Sequence, residues 1–309
     1  NYKNEISLVK ADTLEHQFYF KKAADQYFRF AADFPQDTNS IPSLNKAINY
    51  FIEDHRYNQA TKALLLRAKI SKSMATKSKD YLAALNNAIN ANNKKQMIKT
   101  YKLALKYSSK LENEIKAHHL YANGLGKLDH IKQASQRFRK VLATIEQSRL
   151  LSRKGPWKNM YVEINSDFSD LILRNQNHNK LDQQMTDYKM ATKLIKNAIE
   201  HSSKKQKIKY RYKLAVAASN MAARIKKHLQ RFPYLSKTKK SAYRKAEANY
   251  MKTSGKILAN NLKSQPTDFE NIWYKRSLLR GQDPYSKNNL AIYTNIPLYN
   301  PLFSLPKSW

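Results

Sequence analysis

The chain has 309 residues, no cysteine, 5 glycines and a formal charge of +34 at pH 7, from 57 lysines and arginines against 23 aspartates and glutamates. The missing cysteines exclude disulfides and thiolate metal sites, and so few glycines argue against sheet-rich and α/β folds, whose tight turns consume glycine. Hydrophobic residues make up 41%, enough for a core, but no apolar run approaches the ~20 residues of a membrane-spanning helix.

The first clear pattern runs from Phe20 to Pro35: a small residue at Ala23, an aromatic at Tyr27, an apolar residue at Phe30, then a helix-ending proline. The same offsets return at Tyr57, Ala60, Leu64 and Arg67, and at Ile131, Ala134, Phe138 and Val141. A weaker copy has Met97, Tyr101 and Ala104. Positions 23, 60, 97 and 134 are 37 residues apart each time, and a fixed period over four units marks a repeat. A first helix precedes each later copy, at Leu44, Ala47, Ile48 and Phe51, at Tyr81, Ala84, Leu85 and Ala88, and at His118, Tyr121, Ala122 and Leu125. The pattern predicts stacked helix pairs. The small residue lets the two helices approach, the aromatic fills the gap between them, and the remaining apolar face is buried by the next unit.

Residues 5–150 thereby resemble the tetratricopeptide repeat (TPR), a helix–turn–helix unit of about 34 residues. The chain departs from that pattern in its longer period and in its first helices. There the family's Trp and Gly are replaced by Leu44, Tyr81 or His118 and by Ile48, Leu85 or Ala122. The segment Tyr27–Pro35 is similar to TPR proteins of the bacterial cell envelope. The resemblance implies an all-α, right-handed solenoid that binds protein partners in a groove.

Gly155-Pro156 breaks the pattern. Helical spacing resumes with Ile164, Phe168, Leu171 and Ile172, then with Met185, Tyr188, Ala191, Leu194, Ile195 and Ala198, around a polar loop at 175–179. A long helix is predicted over 204–232, ended by Pro233, and another over 238–263. The organisation expected is TPR-like repeats over 1–152, a basic helical region over 157–265 that continues the solenoid as degenerate repeats, and an extended tail over 266–309. In that tail Pro297, Pro301 and Pro306 block a helix, while Ile296, Leu298, Tyr299, Leu302, Phe303, Leu305 and Trp309 are too apolar for a typical disordered segment. The tail is expected to dock through these residues along the solenoid or onto a partner.

Charge is distributed unevenly. Residues 1–60 hold 7 basic and 8 acidic residues, whereas residues 201–260 hold 17 basic residues and one acid, Glu247. Lys204, Lys205, Lys207, Lys209, Arg211 and Lys213, with Lys237, Lys239, Lys240, Arg244 and Lys245, are therefore expected to form one basic surface for an acidic partner. The plainer reading is a solvated lysine face. Against it stands the self-repulsion that such charge density imposes on the free fold. The partner could be an acidic protein subunit, lipid headgroups, a cell-wall polymer or nucleic acid. Tyr210, Tyr212 and Tyr243 interleave with the cations as stacking platforms for bases would, but helical spacing assigns Tyr212 to the core. Lysine outnumbers arginine, which suits diffuse attraction better than bidentate reading.

Catalytic chemistry finds no support. Gly124-Leu-Gly126-Lys127 lacks the glycine and the Ser/Thr of a phosphate loop, and no His-Glu-x-x-His or Gly-x-Ser-x-Gly occurs. His118 and His119 point about 100° apart on a helix, so they cannot share a metal ion, and His118 falls on a packing position of the repeat. No catalytic, cofactor-binding or metal-binding residue is assigned, and no small-molecule substrate is expected. The expectation is a non-enzymatic scaffold within a multi-protein, bacterial envelope assembly, with a helical-repeat RNA- or DNA-binding protein as the alternative. The sequence starts at Asn1 with no visible signal peptide, so an export signal removed by processing stays open, and a periplasmic location is favoured over a cytoplasmic one.

Overall fold

A computed structural model describes residues 2–175 and 180–264, together with Trp273, Arg276, Ser277 and Arg280. Among the described residues every regular element is helical. The first compact unit, Asn1–Pro156, holds α1 (Tyr2–His16), α2 (Phe20–Asp33), α3 (Ser40–Glu53), α4 (Tyr57–Ile70), α5 (Met74–Asn90), α6 (Lys94–Lys106), α7 (Leu111–Lys127) and α8 (Ile131–Gln147). The second, Trp157–Trp309, holds α9 (Trp157–Arg174), α10 (Leu181–His201), α11 (Lys204–Arg231) and α12 (Lys237–Ser264). No described helix is long and apolar enough to cross a membrane.

The repeat is visible in the backbone of the first unit. The second helices α2, α4, α6 and α8 start at Phe20, Tyr57, Lys94 and Ile131, again 37 residues apart. Two residues before each start the chain takes a left-handed conformation, at Phe18, His55, Asn92 and Asp129, with φ between 51° and 61°. Each turn is closed by the same pair of backbone bonds. In the first, the Phe18 N–H donates to the Glu15 carbonyl and the Tyr19 N–H to that of Leu14. In the third, Asn92 donates to Ile89 and Asn93 to Ala88. This pattern satisfies carbonyls that the ending helix would otherwise leave unpaired, and reverses the chain within three residues.

Side chains follow the backbone register. Ala23, Ala60, Met97 and Ala134 are each the fourth residue of their helix, and none is more than 1% exposed. Four residues on, Tyr27, Leu64, Tyr101 and Phe138 fill the space between helices, all buried. Three residues further on, Phe30, Ala104 and Val141 are buried, but the second unit has Arg67. Its guanidinium reaches across from α4 to Asp80 of α5 in a two-point ion pair of 2.5 and 3.1 Å. Asp80 is buried, and a bidentate arginine compensates its desolvation. An ion pair thus bridges two helices where the other units pack apolar groups.

The first pair also carries a polar network. Tyr27 donates its hydroxyl to Asp12 at 2.5 Å and to Glu15 at 2.7 Å, Lys46 of α3 donates to Glu15 at 2.6 Å, and Tyr50 donates to Glu15 as well. Gly124, one of the closely spaced glycines, lies inside α7, where Met97 and Ile89 press against its Cα. Its smallness serves packing.

In the second unit α9 packs on α10, α10 on α11, and α11 on α12. A core of Val162, Tyr188, Ile195, Tyr210, Met221 and Ile225 runs through it. α11 starts from a capping box in which Ser203 and Gln206 bond each other's backbone. The tail residues Ile296, Leu298, Tyr299, Leu302, Phe303, Leu305 and Trp309 lie outside the described residues.

Candidate functional site

The basic segments sit on α11 and α12, which form a hairpin of two 28-residue helices. Asn261 near the end of α12 donates to the Ile208 carbonyl near the start of α11, and Tyr243 meets His228 at the other end with ring centroids 5.6 Å apart. The antiparallel arrangement separates the two lysine-rich segments. The 18 residues from Tyr243 to Asn261 span about 27 Å at ~1.5 Å per residue. Residues 204–213 and 237–245 are therefore at opposite ends of the hairpin and do not make one compact patch.

The first segment is also divided within itself. The helical period of about 3.6 residues sets Lys204, Lys207 and Arg211 on one stripe and Lys205, Lys209 and Lys213 on another, facing away from it. In the second stripe Lys205 is exposed, and Lys209 and Lys213 lead inward. Lys213 donates to Asp170 and to Ser166 of α9, both at 2.6 Å, and its side chain is only 11% exposed. Lys209 lies over the rings of Tyr210 and Trp273, at 5.6 and 5.8 Å. Burial holds the Lys209 ammonium below its usual pKa and the neighbouring charge of Lys213 lowers it further, while Asp167, Asp170 and Glu163 of α9 oppose the shift. Tyr210 is buried beside the same carboxylates, and burial with their charge pushes its hydroxyl pKa up. Tyr210 and Tyr212 belong to the core, and Tyr243 donates to Asp182 at 3.0 Å. All three rings are thus committed within the fold rather than held out for bases.

The second segment leads outward. Lys237, Lys239, Arg244 and Lys245 are exposed and Lys240 is half-buried. Sequence reading missed their continuation, Lys252, Lys256 and Lys263, all exposed. Lys245, Lys252, Lys256 and Lys263 are spaced by seven, four and seven residues, which keeps them within about 40° of one line on the helix surface. They make a ridge roughly 27 Å long at ~1.5 Å per residue. Among the described residues, none of these cations forms an ion pair. Glu247, the one acid of the helix, is half-buried off the ridge. The periodicity that could have found the ridge is the one used for apolar stripes; density along the chain selected clusters instead. Chemically, a straight row of flexible ammonium groups attracts an extended anion without demanding a fixed geometry from it.

Apart from Tyr234 in the α11–α12 turn, which is 78% exposed, the exposed apolar groups lie elsewhere. Phe18, Tyr19 and Phe20 in the α1–α2 turn are 78%, 54% and 42% exposed. With Tyr50, Glu53 and Asp54 they line an open groove of about 540 Å³, in which Phe20 and Tyr50 are 5.2 Å apart.

No protein-family model matches the chain, and no curated protein matches it. Solved structures do match, among them the crystal structure of Ton1535 from Thermococcus onnurineus NA1. That likeness covers 93% of this chain and 88% of the other at 11% identity, with a TM-score of 0.35.

Proposed function

We propose that the chain is a non-enzymatic helical-repeat scaffold of the TPR kind, which holds protein subunits of a larger bacterial envelope assembly and presents the basic ridge of α12 to an acidic partner. The single observation that carries this reading is the ridge itself. Cations held in a row without counter-charges repel one another in the free protein, and that repulsion is relieved when an anion docks. The TPR assignment is supported by the 37-residue recurrence of helix starts, left-handed turns and buried small residues in the first unit. An acidic protein suits the ridge better than nucleic acid does, because Tyr210, Tyr212 and Tyr243 are engaged inside the fold and Tyr234, in the α11–α12 turn, is a single exposed ring rather than a row of stacking platforms.

The test is affinity capture of the full chain from its native source, before and after nuclease treatment, beside a variant with Lys245, Lys252, Lys256 and Lys263 changed to Glu. Acidic protein subunits should survive nuclease, elute as salt is raised, and be lost from the variant. Capture that nuclease abolishes would move the function to nucleic-acid binding.

A further inference from the structure

The turn between α11 and α12 reads Phe232-Pro233-Tyr234-Leu235, and its Tyr234 is 78% exposed. Around it stand Lys227 and Arg231 at the end of α11 and Lys237, Lys239 and Lys240 at the start of α12. No acid occurs from residue 201 to residue 246.

This tip stands clear of its neighbours. Tyr243 bonds Asp182 at the start of α10, so the six residues of α12 before Tyr243 extend past Asp182 by about 9 Å at ~1.5 Å per residue. Burial agrees. Residues 236–239 are exposed one after another, and four consecutive positions point all round a helix, so no side of that first turn is covered. The tip is also firmly built. The Leu235 N–H donates to the Phe232 carbonyl, the Phe232 ring packs on His228 with centroids 4.6 Å apart, and Tyr234 meets Phe232 edge to face at 5.9 Å. Phe232 and Leu235 are half-buried, which leaves Pro233 and Tyr234 at the apex.

Two features decide what such a tip fits. Its cations come from two helices beside one projecting apex, so a flat anionic surface meets them together, whereas a chain lying along one helix would meet fewer. The apex group is a tyrosine, whose apolar ring and polar hydroxyl suit the boundary between lipid headgroups and acyl chains. Lysine and arginine stems can lie along the apolar layer there while their charges stay with the phosphates. One exposed ring is too few to stack a row of bases.

We propose that the α11–α12 turn is a membrane contact, which seats on a bilayer of anionic lipids with Tyr234 at the headgroup boundary and Lys227, Arg231, Lys237, Lys239 and Lys240 among the phosphates. It is separate from the outer ridge of α12, since Lys237 to Lys252 spans about 22 Å at ~1.5 Å per residue. It holds whether or not the ridge takes a protein partner.

Flotation of the full chain with vesicles tests the contact. Vesicles of phosphatidylcholine mixed with phosphatidylglycerol should bind the protein, and vesicles of phosphatidylcholine alone should not. Each cation near an anionic surface strengthens adsorption about fivefold, so Lys237→Glu, Lys239→Glu and Lys240→Glu together should weaken it at least about tenfold. Lys252→Glu, Lys256→Glu and Lys263→Glu together carry the same net charge but should weaken it less than about threefold, because charges more than about 10 Å away are screened near 0.1 M salt. Tyr234→Ser should remove the binding that survives in high salt. The chain has no cysteine, so an environment-sensitive dye on Ser236→Cys reports the tip alone. Its emission should shift to the blue on the mixed vesicles, while the same dye on Gly255→Cys should not shift. Circular dichroism checks that the charge variants are folded, and the dye, which replaces one exposed serine, decides the matter otherwise. An unshifted dye at the tip, equal loss in the two charge variants, equal binding to neutral vesicles, or a high-salt fraction untouched by Tyr234→Ser overturns the proposal. So does a tip that ignores vesicles but takes up polyglutamate, the probe for an acidic protein. Capture of acidic subunits by the ridge would stand in each case.

Discussion

Glu15 shows how a half-exposed carboxylate can tie three helices together. Burial alone would raise its pKa, but hydrogen bonds from Lys46, Tyr50 and Tyr27 outweigh it and bring it from 4.5 down to about 2. A carboxylate depressed in the fold stabilises the fold above its unfolded value, and the contribution is lost as pH falls through the folded value. Urea midpoints of the wild type should therefore drop between about pH 4.5 and pH 2, and Glu15→Gln should flatten that limb while costing stability at neutral pH. An acid limb of the same depth in the variant would mean that other carboxylates carry it. Phe18 presents the converse case, a residue ill-suited to its backbone. Its φ is 61°, and at the equivalent turns the chain uses His55, Asn92 and Asp129, polar residues, two of them of the Asn and Asp types that tolerate this region best. Phe18→Asn should stabilise the fold by about 0.5–1 kcal/mol, and the reverse change at Asn92 should cost a similar amount, read from urea midpoints.

At the scale of the helix, two glycines with the same propensity should respond in opposite directions. A Cβ built on Gly255, on the exposed side of α12, meets nothing within 4 Å. Gly255→Ala should therefore recover about 0.8–1 kcal/mol of helix propensity. At Gly124 in α7 the added carbon would overlap Met97 and come within 2.8 Å of Ile89 Cγ1. Overpacking of about 1–3 kcal/mol exceeds the propensity gain, so Gly124→Ala should lower the thermal midpoint. A rise would mean that Met97 swings aside at little cost. The helices themselves follow from local sequence. The 28-residue span of α11 ends just before Pro233, and the capping box at Ser203 fixes its start.

For the molecule as a whole, the net charge of +34 is the strongest influence on behaviour in solution. Self-repulsion of this size destabilises the free fold, and salt screens it over about 10 Å at 0.1 M. The thermal midpoint should rise as salt is added from about 0.02 to 0.2 M, and neutralising the ridge with Lys245→Gln, Lys252→Gln, Lys256→Gln and Lys263→Gln should reduce that dependence. An unchanged salt response would mean that the ridge is not where the repulsion concentrates. The same four changes should lower the slope of log affinity against log salt for an acidic partner, since fewer bound counterions are exchanged.

Sequence by itself determined the helices, the 37-residue register and the small and aromatic residues that set it, because periodicity and breakers act locally and each copy states them again. Arg67 shows the limit of that reading. Its offset was legible, but its partner Asp80 lies in the next helix pair, and nothing local links the two. The lysine-rich segments show the limit more sharply. Their charge was plain in the composition, yet only the tertiary structure decided that Lys209 and Lys213 turn toward carboxylates of α9, while Lys245, Lys252, Lys256 and Lys263 line up on the outside of α12. A charge acts through space and is cancelled or left standing by its neighbours there, so its function depends on which distant segments the fold brings beside it.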